Sequence, residues 1–377
     1  MDSALRKPAV IMLANAGHRA FDTRIFQKEA LTLVQAGYTV ILIIPHDADV
    51  VVKGVQIEAV PLPNKGWKQL VVCPWNIFRK ALSHPRHSIF HIHDSELLVI
   101  GLLLRLTGRK VIYDAHEDTP RQISYQHWIP WWIKKPYGWF YFVLEKLAGW
   151  CFNAIIVAEP VIARYYPKKK TRVIRNFSMV ESFQKQRNII PYHEREKSII
   201  YIGLLSRPRG LLEMVKAHSV VVKKIPDFKF RIGGKFSPQQ LEQEILPNYP
   251  VQYLGWIPYE KLPIVLFEAQ IGIIIPEPNP RYTTNYPVKL FEYMAAGLPV
   301  IASRFGESAL FVKECNGGLL VNPQDTEEVA NAMMWLLENP LEAEAMGKRG
   351  QDMIFKKYSW ELESERLLDL YNSFSAN

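Results

Sequence analysis

The stretch Asn285-Tyr286-Pro287-Val288-Lys289-Leu290-Phe291-Glu292-Tyr293-Met294-Ala295-Ala296-Gly297-Leu298-Pro299-Val300-Ile301-Ala302-Ser303 puts a cation and a carboxylate three residues apart near the start of a predicted helix. Pro287 suits the first helical turn, and Gly297 suits a stop before a buried strand. A helix start offers free N–H groups and a positive dipole end, a ready site for a diphosphate, to which Lys289 adds a point charge. Glu292, about one turn further on, can accept hydrogen bonds from ribose hydroxyls. The same two residues also read as an ordinary charge pair on a helix surface. A second candidate is His91-Ile92-His93-Asp94, which puts two imidazoles on the same side of a strand end, as a metal hydrolase site would begin. No second histidine cluster with matching carboxylates follows it at a persuasive spacing.

These residues need elements to hold them. Ala9 to Ala14 reads as a short buried strand, Arg24 to Gln35 as a helix stopped at Gly37, and Tyr38 to Ile44, Val55 to Val60, Ser88 to His93, Lys110 to Tyr113 and Ala154 to Val157 as further strands, with Glu96 to Leu106 helical. The pattern breaks at Lys168-Lys169-Lys170 and over a polar stretch from Glu181 to Lys197, where a linker is expected. It then restarts. Strands are predicted at Ser198 to Ile202, Phe228 to Ile232, Val251 to Leu254 and Ile271 to Ile275, alternating with helices at Leu212 to Val222, Pro238 to Ile245 and Lys261 to Glu268. Apolar strands that alternate with helices make parallel, doubly wound sheets, and ligands of such sheets sit beyond the strands' C-terminal ends. Two such sheets would face each other across a cleft.

At 377 residues two domains are the default, and 48% hydrophobic with 22% charged residues excludes a disordered chain. A net charge of +9 predicts attraction to polyanions: nucleic acid, an anionic bilayer or pyrophosphate-bearing small molecules. Cys73, Cys151 and Cys315 suggest neither a disulfide framework nor a metal knuckle, which fits a reducing cytoplasm. The N-terminal apolar run is too short for a signal-peptide core, and no window of about eighteen apolar residues is free of charge, so no spanning helix is expected.

Pro287 to Val300 resembles the donor-site signature of family 4 glycosyltransferases, retaining enzymes with the GT-B fold. Tyr201-Ile202-Gly203-Leu204-Leu205-Ser206-Arg207-Pro208-Arg209-Gly210 resembles the family's glycine turn with its basic phosphate clamp, Tyr253-Leu254-Gly255-Trp256-Ile257-Pro258 its strand before the base-binding region, and Asn316 to Val321 with Pro323 and Asp325 its late glycine turn. These span nearly the whole second half in the expected order. In the first half, Asp22-Thr23-Arg24-Ile25 with Glu29-Ala30 and Ala36 to Val40 is similar to the family's opening loop and first helix, and Tyr113-Asp114-Ala115-His116-Glu117-Asp118 stands where similar enzymes carry a histidine facing the reacting sugar. Two positions depart from the pattern: Thr284 stands where an acid is common, with Glu277 out of register, and Leu204 follows the first glycine in place of Arg.

The resemblance implies an α/β chain of two Rossmann-like domains. Residues 1–178 would bind the acceptor, residues 180–357 the nucleotide-sugar donor, and helix 358–377 would pack back on the first. It implies transfer with retention from a nucleoside-diphosphate sugar, with no required metal and no cofactor. His116, Arg209 and Lys289 would be catalytic. Gly17, Gly203, Arg207, Arg209, Lys289 and Glu292 would bind the donor, and His18, Arg24 and Asp118 the acceptor. The acceptor implied is a lipid-linked saccharide in surface polysaccharide assembly. A metal hydrolase at His91, His93 and Asp94 and a catalytically inactive nucleotide-sugar binder are the alternatives.

Half of the 10 tryptophans lie between His127 and Trp150, mixed with cations. Trp128, Trp131, Trp132, Lys134, Lys135 and Trp139 form a candidate bilayer-interface patch on an anionic membrane, and Lys168-Lys169-Lys170 and Arg172 add to the attraction. The other reading of the patch is a buried aromatic helix pair. Localisation on the cytoplasmic face as a peripheral protein follows from the first reading. Aromatic-basic surfaces also bind single-stranded nucleic acid, but no RNA-recognition signature is present and no nucleic-acid partner is expected.

Overall fold

The computed structural model describes residues 7–62, 67–115, 119, 123, 129–186, 190–279, 282–283 and 287–375. The chain divides into two compact units, Met1–Asn176 with Leu362–Asn377, and Phe177–Glu361. The first division thus falls at Asn176 rather than Ser178, and the closing segment joins unit one from Leu362 rather than from residue 358.

Unit one is built on β1 (Val10–Leu13), β2 (Val40–Pro45), β3 (Val50–Val52), β4 (Val55–Val60), β5 (Ile89–Ile92), β6 (Lys110–Ala115), β7 (Ala154–Val157) and β8 (Thr171–Val173), ordered β3-β4-β2-β1-β5-β6-β7-β8. The strands VIML, IFHI and AIIV are buried from end to end, as expected of a parallel sheet covered on both faces. β3 is the one antiparallel partner, and the sequence reading passed over it. Its cause is local: Lys53 and Gly54 both have positive φ, so the two-residue turn folds Val50–Val52 back on Val55–Val60.

The first helix also differs from expectation. Thr23–Ala30 is a π-helix that runs into α1 (Leu31–Gln35). Asp22 starts it, its carboxylate accepting the N–H groups of Arg24 (2.8 Å) and Ile25 (3.0 Å). With i→i+5 winding, residues five apart share a face, which aligns Arg24 with Glu29 on the buried side. Three more helices, α2 (Trp67–Leu82), α3 (Leu98–Leu106) and α4 (Trp131–Cys151), connect successive strands. Among the described residues no helix is long and apolar enough to cross a membrane.

Unit two carries β9 (Glu196–Ile202), β10 (Lys229–Gly233), β11 (Val251–Tyr253), β12 (Ala269–Ile274), β13 (Val300–Ser303) and β14 (Gly318–Val321), all parallel, ordered β11-β10-β9-β12-β13-β14. Its helices include α5 (Leu211–Val221), α6 (Val288–Ala295), α7 (Gly306–Cys315), α8 (Thr326–Glu338) and α9 (Pro340–Lys357), and α10 (Trp360–Ser375) follows. Ile199, Phe230, Ile232, Ile271 and Ile273 fill one face of the sheet, and Ile200, Ile274, Leu290, Met294 and Val300 the other.

In each sheet the first strand has its second and fourth parallel strands as neighbours: β1 lies between β2 and β5, and β9 between β10 and β12. The chain therefore leaves the two middle strands in opposite directions, opening a crevice at their C-terminal ends.

Candidate functional site

In unit two the crevice opens between the ends of β9 and β12. β9 runs out at Gly203, φ +149°, where an added Cβ would collide with Cε and Nζ of Lys289. The absence of a side chain there is what lets Lys289 lie across the strand end. The Gly203 N–H donates to Gly233 O (2.8 Å), and that of Gly234 to Gly255 O (2.7 Å), so three neighbouring strands end in bare backbone. After Ser206 the chain makes a 3-10 turn, Arg207–Arg209, closed by Gly210 in the left-handed region. Glu277 N donates to Pro208 O (3.0 Å), joining that turn to the loop after β12.

Helix α6 supplies Lys289 and Glu292 from the other side. Pro287 occupies the cap position just before the first helical residue, and Gly297, φ +70°, follows the last turn, its N–H reaching Met294 O (2.8 Å). The Tyr293 hydroxyl accepts the Ile202 N–H (2.8 Å), fixing α6 to the end of β9. Gly272 on β12 makes room for that ring, since a Cβ there would press into Tyr293.

The electrostatics are one-sided. Burial pushes the Lys289 ammonium down to about 8, with Arg209 adding repulsion and Glu292 opposing both. Lys289 Nζ lies 5.8 Å from the centre of the Tyr201 ring. Burial pushes the Tyr201 hydroxyl up to about 12 against the pull of Arg209, which hydrogen-bonds it, and that hydroxyl donates to Leu204 O (3.1 Å). Two cations face each other here with Glu292, 8% exposed, as the nearby carboxylate. A bound anion would offset the surplus positive charge and raise Lys289 again.

Of the residues assigned to the donor from sequence, Gly203, Arg209, Lys289 and Glu292 come together. Arg207 does not join them: both oxygens of Glu244 lie 2.6 Å from its Nη2, on an exposed surface. The clamp therefore rests on Arg209. Tyr201, Tyr293 and Gly234 are parts of the site that sequence reasoning did not single out; the Gly233-Gly234 pair closing a strand was the available signal.

Unit one holds two polar groups at its crevice. At the loop ends, His18 Nε2 lies 3.0 Å from Asp94 Oδ1 and its Nδ1 3.5 Å from Asp22 Oδ2. Asn15 N donates to Asp94 Oδ2 (2.6 Å), and the Asn15 amide to Glu96. Burial alone would lower the His18 pKa, but the bonds to Asp22 and Asp94 win and push it up to about 10. Burial works against Asp22 too, yet His18 and two backbone N–H groups hold its carboxyl well below the usual range. Burial raises Glu96, against the hydrogen bond from Asn15.

Beneath lies the second group, completely buried. Arg24 forks onto Asp114, Nε to Oδ2 at 2.8 Å and Nη2 to Oδ1 at 3.0 Å, reaches Glu29 Oε1 at 3.1 Å, and donates to Ile174 O (3.2 Å). Lys28 Nζ donates to Asn176 Oδ1 (2.7 Å). His93 Nδ1 lies 3.7 Å from both Glu29 and Asp114, and His91 Nδ1 meets the Tyr371 hydroxyl at 2.7 Å. This corrects two sequence readings. Arg24, 3% exposed, is committed to internal carboxylates and is not available to an acceptor. The proposed hydrolase set is divided: Asp94 sits with His18 and Asn15, while His91 and His93 join Glu29 and Asp114. Those four could reach one cation, but Arg24 already bridges both carboxylates. Burial and the neighbouring Asp114 raise Glu29 well above the ordinary range, in keeping with a proton kept in a crowded pair.

His116 and Asp118 lie outside the described residues, as do Trp128 and Thr284. Gly17 is exposed in the loop after β1. On α4 the indoles are out: Trp131 is 84%, Trp132 65%, Trp139 69% and Trp150 77% exposed. Trp132, Trp139 and Trp150 are seven and eleven residues apart, so they share one helix face. Lys135 is exposed among them and Lys134 half-buried.

A family model described as "Glycosyl transferases group 1" matches residues 196–339, and one described as "Glycosyl transferase 4-like domain" matches residues 23–176. A D-inositol 3-phosphate glycosyltransferase of Corynebacterium urealyticum is 28% identical over 188 residues, 47% of this chain and 43% of its own length. The chain thus spans less than half the length of that curated relative. Among solved structures, a sucrose-phosphate synthase of Thermosynechococcus elongatus superposes with a TM-score of 0.74 at 20% identity, over 98% of this chain and all of that one. Anabaena HepE, solved with UDP and glucose, gives 0.69 at 14%, over 97% of this chain and all of that one. At these identities the structures establish the fold.

Proposed function

We propose, since this chain belongs to the family 4 glycosyltransferases and has their GT-B fold, that it moves a sugar from a nucleoside-diphosphate sugar to a hydroxyl group with retention of anomeric configuration. The observation that carries this is the half-buried Lys289 beside Arg209 at the β9/β12 crevice, floored by Gly203. Two half-buried cations with one carboxylate nearby favour an anion that enters and offsets their surplus charge. The diphosphate is that anion, and Glu292 takes ribose hydroxyls. As the bond from the anomeric carbon to the diphosphate oxygen breaks, negative charge grows on the leaving group, and Arg209 and Lys289 stabilise it where it appears. The acceptor hydroxyl attacks from the same face and passes its proton to a diphosphate oxygen, and no carboxylate nucleophile is needed. His116 orients the sugar. Likeness to HepE, solved with UDP and glucose, makes UDP the first base to test.

The acceptor proposed is a lipid-linked saccharide of surface polysaccharide assembly. Exposed tryptophans along one face of α4, mixed with lysines, support a chain docked on an anionic membrane from its cytoplasmic side. His18 with its acidic neighbours gives unit one donors and acceptors for sugar hydroxyls.

The test is thermal stabilisation by UDP, GDP, ADP and CMP, with and without divalent metal, on wild type and Glu292→Ala. A shift selective for one nucleoside diphosphate, independent of metal and lost in the variant, is expected. Stabilisation by zinc or manganese alone, with none by any nucleotide, would sink the reading.

A further inference from the structure

At the opposite ends of the unit one strands a hollow of ≈ 410 Å³ is lined by Lys110, Lys169, Lys170 and Arg172 together with Ser373 and Phe374 of α10. No carboxylate lines it, and among the described residues none of its four cations forms an ion pair with an acid. Other surface cations are matched, Lys197 by Asp227 and Arg349 by Glu342 among them. Here the side chains are held by carbonyl oxygens instead: Lys110 by Phe374 (3.1 Å), Lys170 by Trp150 (2.5 Å) and Phe152 (2.9 Å), Arg172 by Lys169 (3.3 Å) and Thr171 (3.1 Å). Carbonyls orient a cation without cancelling its charge, so the hollow stays positive and attracts anions.

What lies beside it narrows the anion. Lys170 holds the carbonyl of Trp150, the penultimate residue of α4, whose indole is exposed. Arg105 Nε donates to Cys151 O (2.9 Å), and the next residue, Leu106, is 83% exposed. The basic hollow therefore abuts the end of the aromatic face. Cations adjoining exposed indole and aliphatic groups match the bilayer boundary, where phosphate stands above acyl chain.

We propose that this hollow is a headgroup pocket that takes the phosphate of an anionic phospholipid when α4 lies flat on the membrane. The proposal rests on the membrane reading above and adds a built site to it: attraction comes from these residues rather than from net charge. At 1.5 Å per residue α4 is about 30 Å long, so the pocket fixes one end of the helix and thereby the direction in which it lies.

The experiment is co-sedimentation of the full chain with phosphatidylcholine vesicles, plain or with phosphatidylglycerol. It compares wild type, K169Q/R172Q, K110Q, W139A and the charge-matched K223Q/K224Q, all checked for an unchanged melt. At roughly a fivefold contribution per cation near the surface, K169Q/R172Q should bind anionic vesicles about 30-fold more weakly, K110Q about fivefold, and K223Q/K224Q within about twofold of wild type. Lys169 and Arg172 are exposed, so the double variant keeps its fold. Equal losses in both double variants would mean diffuse attraction and overturn the pocket. Vesicle binding lost in W139A but untouched in K169Q/R172Q and K110Q would overturn it while leaving the membrane reading intact. Failure of wild type to bind any vesicle would take down both. Inorganic phosphate that stabilises wild type but not K169Q/R172Q, with vesicle binding equal in the two, would assign the hollow to a soluble phosphate and overturn the lipid.

Discussion

Each sheet gathers charge at its crevice, and the two do so in opposite ways. In unit one Arg24 is forked by Asp114 and touched by Glu29, and Lys28 is held by Asn176. In unit two Arg209 and Lys289 repel one another, and Glu292 only partly offsets them. A guanidinium cancelled by the carboxylate that forks it is a structural joint, whereas two cations that repel each other are waiting for a ligand. The contrast also separates two arginines that the sequence reading assigned to substrates, Arg24 to the acceptor and Arg209 to the donor.

The largest effect expected is on the joint. Asp114→Ala strands the Arg24 guanidinium in the core and should cost about 3–5 kcal/mol of stability by urea unfolding. Nucleotide binding should survive in whatever remains folded; a stable, nucleotide-blind variant would erase the distinction. Lys289→Ala should do the reverse, lowering kcat/KM about 10²–10³-fold, as loss of one transition-state donor does, with no drop in the melt. A large drop in stability would make Lys289 a structural residue after all.

The pH dependence sharpens this further. The folded-state pKa of Lys289 is depressed to about 8. The unfolded chain thus holds more protons above pH 8, and stability rises with pH from there to the ordinary lysine value. The melting difference between wild type and Lys289→Met should narrow over that window, and nucleotide affinity should fall as pH rises past 8. Gly203→Ala comes next. Its Cβ meets only the flexible end of Lys289, so the fold should hold with about 1–3 kcal/mol of backbone strain, while nucleotide binding is lost with the displaced ammonium. A separate test is at His18, whose pKa is raised to about 10. Its contribution is fully present below its unfolded value near 6.5 and is lost as pH rises through 10. The stability gap between wild type and His18→Gln should therefore be largest near pH 6 and close by pH 10.5; a gap constant with pH would remove the charge from the explanation.

Much of this was legible in the sequence because the signals are local. Residues 10–13 and 300–302 are unbroken apolar runs, Gly297 marks a helix end, and Gly203 marks a strand end. What was not legible depends on partners distant along the chain. Arg24 looked like a surface contact because Asp114 stands ninety residues away. Arg207 and Arg209 are two apart, and only Glu244 tells them apart. The π-helix was invisible because its apolar spacing also fits an α-helix, and β3 because its signal is a two-residue turn rather than a long apolar run.

The Tyr371 hydroxyl that meets His91 is encoded 280 residues after it. During synthesis unit one must therefore wait, its charged joint still open at the face that α10 will cover, while Phe177–Glu361 leaves the ribosome as one continuous stretch. The unit begun first is the one finished last, and in that interval the half-built joint of Arg24, Glu29, His91 and Asp114 is wet. A chain ended before Leu362 should thus carry a finished Phe177–Glu361 unit and an unfinished partner.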